Sequence, residues 1–180
     1  MKLLIASDIH GSAYFCRKLI NRYKEEKADL LVLLGDILYH GPRNDLPYEY
    51  DPKSVIAMLN PLSSEIVCVR GNCEAEVDDM VLSFPVLSDY SEILTEKNRL
   101  FLTHGHKFSK DNHPPLREGT VLLSGHTHVP HFEEKDGIIF CNPGSVSIPK
   151  ENSHNSYVII EKDTLSFKTI DGETYRVEKI

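Results

Sequence analysis

The sequence lacks the features that mark a secreted or membrane-spanning protein. Its four cysteines are irregularly spaced and include no C-x-x-C pair, which argues against a disulfide framework and against a zinc ribbon. No apolar stretch has the length of a transmembrane helix. The N-terminus runs directly into a short apolar segment without the pattern of a secretory signal. We therefore expect the protein to be cytoplasmic, with no membrane partner.

Basic residues are scarce relative to acidic ones. Twenty Lys and Arg against 27 Asp and Glu give a formal net charge of -7. Such a surface repels a polyanion at long range, so it argues against a protein that binds nucleic acid without sequence preference. The 180 residues, 41% of them hydrophobic, suffice to bury one sizeable core. We predict a single domain that spans residues 1–180.

Three apolar runs in the first half have the length of buried strands, and each ends in a polar turn. The runs cover residues 2–7, 28–34 and 65–70. The polar residues that follow them are Asp8 and His10, Asp36, and Asn72. Helical spacing after Ser12, a favourable N-cap, and over about residues 52–59 predicts helices between the runs. The first two strands should therefore be parallel.

Turn-forming pairs separate short alternating segments in the second half. They lie near residues 96–98, 136–137, 162–163 and 171–172, and they predict hairpins in an antiparallel region. Two further strands lead into His104 and into His126 and His128. The two halves together predict an α/β domain in which two sheets pack in layers.

The five strand ends present carboxylate, amide and imidazole groups, and loops beyond strand ends are where α/β folds place their ligands. In D-x-H and H-x-H, both side chains lie on the same side of an extended backbone. Seven such groups exceed the needs of one ion, so two metals that share the Asp36 carboxylate are the simpler interpretation. The mixture of oxygen and nitrogen donors suits manganese, iron, zinc or nickel. The two ions would lie about 3.5 to 4 Å apart.

Five motifs in a fixed order resemble the calcineurin-like metallophosphoesterases. They are SDIHG, LGDIL, RGNCE, THGH and SGHTH, and their candidate ligands extend from Asp8 to His128. Downstream, NPGSVSIPK resembles the small bacterial branch of the family, and the loop HGPRN resembles its YfcE-type phosphodiesterases. The resemblance covers essentially the whole chain, and five blocks in order are a specific signal.

The resemblance implies a four-layer α-β-β-α sandwich of two mixed sheets flanked by helices. It also implies two divalent cations, with Mn²⁺ the usual ion and Zn²⁺, Fe²⁺ or Ni²⁺ as alternatives. Asp36 would lie between the ions, and a hydroxide that bridges them would attack phosphorus in line. The implied ligands of one ion are Asp8, His10 and His128, and those of the other are Asn72, His104 and His126. The catalytic candidates are Asp36, Asn72, His104 and Cys73.

Cys73 departs from the histidine that many relatives carry at this position. A thiol with an ordinary pKa of about 8.5 is a weak hydrogen-bond donor and a poor general acid at pH 7. We therefore predict a preference for activated esters, since loss of a general acid costs on the order of 10²- to 10⁴-fold with a poor leaving group. For Glu74 two interpretations stay open: it orients a neighbour, or it is a solvated acid.

The candidate substrate contacts are Arg43, Asn44 and His106. A guanidinium matches phosphate geometry, although a loop salt bridge or a subunit contact explains Arg43 equally well. His106 faces substrate or a metal ligand in one interpretation, and is an exposed turn residue in the other. We expect residues 41–52 to form a wall of the site or a contact surface.

The predicted function is hydrolysis of a small phosphodiester. Alternatives are a phosphomonoesterase or nucleotide phosphatase, and a scaffold that keeps the fold without catalysis. The scaffold is disfavoured because all seven ligand positions hold residues that can bind a metal. A nuclease is disfavoured by the acidic balance and by the lack of a capping domain. The resemblance also favours a homo-oligomer.

Overall fold

The computed structural model describes all residues, Met1–Ile180, and the first part of the chain alternates strand and helix. That part consists of β1 (Lys2–Ala6), α1 (Ala13–Glu26), β2 (Leu30–Leu33), α2 (Pro52–Leu59), a 3-10 helix (Asn60–Glu65), β3 (Ile66–Cys68) and α3 (Glu76–Val81). The second part contains only strands: β4 (Tyr90–Leu94), β5 (Arg99–Thr103), β6 (Thr120–Leu123), β7 (His131–Lys135), β8 (Ile138–Asn142), β9 (Ser156–Glu161), β10 (Thr164–Thr169) and β11 (Thr174–Lys179). No helix has the length and apolar character needed to cross a membrane.

The two longer helices each begin directly after a residue whose side chain caps them. The Ser12 side chain accepts a hydrogen bond from the backbone of Phe15 at the start of α1, and α1 ends before Lys27, which adopts a left-handed conformation. Asp51 caps α2, which has Pro52 in its first turn. Both predicted helices are confirmed, and the apolar face of α1 is buried as its spacing indicates.

Two mixed sheets form the centre of the fold. The first has six strands in the order β11-β10-β9-β1-β2-β3, in which β1, β2 and β3 are parallel. The second has five strands in the order β4-β5-β6-β8-β7. The predicted parallel pair and all four predicted hairpins are confirmed. The prediction of an antiparallel second half was wrong in one respect, because β5, β6 and β8 run parallel.

The apolar core divides into layers according to the alternation of side chains along each strand. In β1, Leu3 and Ile5 point between the two sheets, whereas Leu4 and Ala6 point towards α1 and α2. A third, smaller cluster lies on the outer face of the second sheet, where residues 104–119 cover it without forming a helix. The predicted fold of two packed mixed sheets with helices is confirmed.

A cluster of charged groups joins the end of α1 to the first sheet. Glu26 contacts Lys168 and lies 2.8 Å from Lys2 Nζ, and the hydroxyl of the buried Tyr157 donates to it at 3.2 Å. Burial raises the pKa of Glu26, but the two ammonium groups outweigh this effect and hold the pKa below its ordinary value. The ionised carboxylate therefore stabilises the folded state.

We expect Glu26→Gln to lower the free energy of unfolding by about 1 kcal/mol at pH 7, a modest loss because the lysines are partly solvated. Since the folded-state pKa is depressed, the loss should be fully present above the unfolded-state pKa and should vanish as pH falls through the folded-state value. Urea unfolding at several pH values would measure it. Glu25→Gln is the matched control, because Glu25 is exposed and pairs only with Arg22. Equal effects of both substitutions would contradict the prediction.

Candidate metal centre

The predicted metal ligands converge at one edge of the two sheets. This edge holds the turns that follow β1, β2 and β3 of the first sheet, and β5 and β6 of the second. Five of the seven residues have a positive φ, which is uncommon for residues other than glycine. They are Asp8 (59°), His10 (49°), Asp36 (55°), His126 (69°) and His128 (63°). Backbone strain of this kind persists only where the surrounding fold maintains it. Residues with such strain cluster at functional sites.

Asp8, His10 and His128 form a first group, and all three are buried. The Oδ1 atom of Asp8 lies 3.2 Å from His128 Nε2 and 3.5 Å from His10 Nε2. The two Nε2 atoms are 3.2 Å apart. Three donor atoms thus face one point.

A second group forms around His104, which is also buried. Its Nε2 lies 3.1 Å from Asn72 Oδ1 and 3.4 Å from Asp36 Oδ2, and its ring centroid is 5.1 Å from that of His126. Asp36 Oδ2 is also 3.6 Å from His10 Nε2 in the first group. Asp36 therefore lies between the two groups, as the sequence predicted for a shared carboxylate.

Three of the four histidines are oriented by backbone carbonyl groups. The Nδ1–H groups of His10, His104 and His128 donate to the carbonyl oxygens of residues 39, 34 and 148 at 2.7, 2.7 and 2.8 Å. Since a carbonyl only accepts, Nδ1 carries a proton in each ring, and Nε2 of the neutral ring presents a lone pair to the carboxylates. This arrangement of the outer hydrogen bonds is typical of metal-binding histidines.

The charges of the centre also fit a cation. Asp8 Oδ1 is buried without a hydrogen-bond donor when the imidazoles are neutral. Burial lowers the pKa of His104, but its bond to Asp36 and the charges of Asp8 and Asp36 outweigh burial and raise the pKa to about 9. The carboxylates thus attract positive charge to Nε2, which a divalent cation would supply in place of a proton.

Cys73 and Glu74 follow Asn72 and contact the Asp36 turn. The backbone N–H of Cys73 donates to Asp36 Oδ1 at 2.9 Å. Burial and the charge of Asp36 raise the pKa of the Cys73 thiol, which keeps it protonated. Glu74 is only 4% exposed and accepts the backbone N–H groups of Asp36, Ile37 and Gly71. Of the two interpretations of Glu74, the solvated acid is wrong, and the residue orients the turn that carries Asp36.

A cavity of about 400 Å³ opens over the centre, and Asp36, Asn72, Cys73, His126 and His128 line its floor. Residues 41–44 form one wall, which places Arg43 and Asn44 beside the centre. His106 does not line this cavity: it packs against His104 and His126, with ring centroids 5.4 and 6.2 Å away. Lys150 lines a further wall. Sequence reasoning missed Lys150, and its only signal was its place in the NPGSVSIPK segment.

The architecture agrees with a comparison to known protein families. The model of the calcineurin-like phosphoesterase superfamily domain matches residues 1–165. The chain belongs to this family. Among its relatives in the calcineurin-like phosphoesterase family is the phosphodiesterase YfcE of Escherichia coli strain K12, 45% identical over 174 residues, which are 97% of this chain and 95% of that protein.

Solved structures extend the comparison. The structure of the E. coli phosphoesterase Yfce superposes with a TM-score of 0.97 at 45% identity, and the match covers 100% of both chains. Vps29 of Entamoeba histolytica, solved in complex with zinc, superposes with a TM-score of 0.63 at 20% identity over 100% of this chain and 98% of that one. At this identity the likeness to Vps29 concerns the fold alone.

Proposed function

We propose that the protein is a metal-dependent phosphodiesterase that acts on a small diester. The observation that carries the proposal is the position of Asp36, which contacts His10 of one buried donor group and His104 of the other. The name phosphodiesterase of the relative that is 45% identical supports the reaction class.

The donor groups suit two divalent cations, and manganese is the ion that we propose. Asp8, His10 and His128 would hold one ion, and Asn72, His104 and His126 would hold the other, with Asp36 shared. When bound, such ions activate water as a nucleophile and neutralise the charge that develops on the phosphoryl group.

The chain's own residues position these groups and control the leaving group. Carbonyl-anchored imidazoles keep their Nε2 atoms directed at Asp8 and Asp36. Cys73 lies at the floor of the cavity, and burial and the charge of Asp36 raise the pKa of its thiol, which makes it a poor proton donor. Esters with a good leaving group should therefore react fastest, because their departing oxygen needs no proton.

We expect metal-stripped protein to hydrolyse neither an activated diester nor the matching monoester, and added Mn²⁺ to restore turnover with the diester in excess. Bis(para-nitrophenyl) phosphate and para-nitrophenyl phosphate form a suitable pair, because they share a leaving group and differ in charge. Metal binding would be measured in parallel by calorimetry. Faster hydrolysis of the monoester would identify a phosphomonoesterase instead. No turnover of either ester by protein with two metals bound would contradict the enzyme proposal and favour a scaffold.

A further inference from the structure

The cavity over the metal centre has two cationic walls that the proposed ligand set does not use. Arg43 lies on the wall formed by residues 41–44, and Lys150 lies on another. Both side chains are exposed, whereas the residues of the floor are buried or half-buried apart from Asn72. Arg43 and Lys150 therefore lie where they would contact the part of a bound molecule that projects from the floor.

The wall that carries Arg43 is fixed to the first donor group. His10 Nδ1 donates to the carbonyl of Tyr39, at the base of this wall. The turn itself is closed by the side-chain amide of Asn44, which donates to the carbonyl of His40 at 2.8 Å. Arg43 thus has a defined position relative to His10.

The wall that carries Lys150 is fixed to the same donor group in the same way. His128 Nδ1 donates to the carbonyl of Ile148, and the backbone N–H of Lys150 donates to the carbonyl of His128 at 3.2 Å. The Ser153 hydroxyl donates to the carbonyl of Lys150 at 2.6 Å. The two residues after Lys150 have φ values of 54° and 56°, which makes the turn tight. The fold therefore holds Lys150 beside His128.

Neither Arg43 nor Lys150 has an acidic partner. Arg43 and Lys150 belong to none of the ion pairs, although the chain carries a net charge of -7. Pro42 and Cys73 are the only apolar side chains that line the cavity, so the walls offer little surface to a lipid or an aromatic group. Unpaired cations on polar walls recognise a carboxylate or a phosphate.

We propose that Arg43 and Lys150 form a subsite for a second anionic group, a phosphate or a carboxylate on one alcohol arm of the diester. The proposal rests on the proposed function and specifies its substrate class as a small diester with more than the single charge of the reacting phosphate. It adds Lys150 to the residues that determine specificity.

Two esters with the same leaving group test the subsite: para-nitrophenyl propyl phosphate and para-nitrophenyl carboxyethyl phosphate. In the manganese-loaded protein we expect a KM about five- to tenfold lower for the carboxyethyl ester, as is reasonable for solvent-exposed charge pairs. Lys150→Ala and Arg43→Ala should each reduce this preference to about twofold or less, and added salt should weaken it in the wild type. Lys135→Ala, an exposed lysine outside the cavity, is the matched control and should keep the preference.

Hydrolysis of both esters with equal KM values, or an unchanged preference in the Lys150 and Arg43 variants, would overturn the subsite. If neither ester is hydrolysed, the proposed function fails, and the subsite is then decided by binding alone. Calorimetry with carboxyethylphosphonate and propylphosphonate gives that answer: tighter binding of the carboxylate supports the subsite, and equal binding overturns it. The carboxylate serves as the probe for both anions. A matching compound with a phosphorylated arm would show which of the two anions binds more tightly.

Discussion

Asp36→Asn should lower kcat/KM for an activated diester by roughly 10³-fold, because the substitution removes a charge that both donor groups share. The Asn side chain has the same shape, and its oxygen can still accept the backbone N–H that Asp36 Oδ1 accepts from Cys73. What it loses is the second carboxylate oxygen, which lies 3.4 Å from His104 Nε2 and 3.6 Å from His10 Nε2.

The same variant should not be more stable than the wild type in the metal-free state. Burial and the negative charge of Asp8 raise the pKa of Asp36, but the interactions with His104 outweigh them and the pKa is lowered overall. The ionised carboxylate therefore stabilises the folded state at neutral pH, and we expect a melting temperature equal to or lower than that of the wild type. The control is Asp79→Asn, because Asp79 lies on the exposed surface of α3. Turnover of Asp36→Asn near the wild-type rate would refute the role of Asp36 as a shared carboxylate.

The sequence predicted the convergence of the candidate ligands more completely than the sheets, and the reason is local. Each predicted ligand directly follows an apolar run, and parallel strands bring their carboxyl ends to one edge, so pattern alone places Asp8, His10 and Asp36 together. The parallel order of β5, β6 and β8 had no such signal. Their connections contain no amphipathic helix, and the hairpin turn at residues 136–137 dominates the pattern, although it joins β8 to β7 rather than to β6.

Sequence reasoning missed Lys150 and left the role of Glu74 undecided for a different reason: their partners are distant along the chain or belong to the backbone. Lys150 reaches the cavity through a bond to the carbonyl of His128, 22 residues earlier, and a lysine beside a turn has no feature that predicts this. Glu74 accepts hydrogen bonds from the backbone N–H groups of Asp36 and Ile37, which any residue type except proline could supply. The sequence does not reveal such hydrogen bonds, because a backbone donor does not depend on the side chain of its residue.

Glu74→Gln should lower the free energy of unfolding by about 1 to 3 kcal/mol and reduce diester kcat/KM by roughly 10- to 100-fold. Glu74 Oε2 accepts from the backbone N–H groups of Asp36, at 2.9 Å, and of Gly71, while Oε1 accepts from Ile37 at 2.7 Å. An amide has one oxygen and one NH₂ group. Whichever way it is turned, its NH₂ group faces at least one of these N–H groups, which is then buried without an acceptor.

The loss of activity should follow from displacement of the turn that carries Asp36. Glu74 acts on the centre only through its hydrogen bonds to the backbone N–H groups of this turn and of Gly71. The turns at Gly71 and Asp36 are closely packed, because a Cβ on Gly71 would lie 2.5 Å from the backbone nitrogen of Asp36. A change in the hydrogen bonds of Glu74 should therefore move the Asp36 turn. Weakened metal binding, measured by calorimetry at pH 8 beside urea unfolding, would distinguish positioning from a loss of stability alone. Glu76→Gln, two residues on and exposed, should change none of these quantities. If Glu74→Gln unfolds more easily but binds metal and turns over substrate like the wild type, the carboxylate stabilises the turn without setting the position of Asp36.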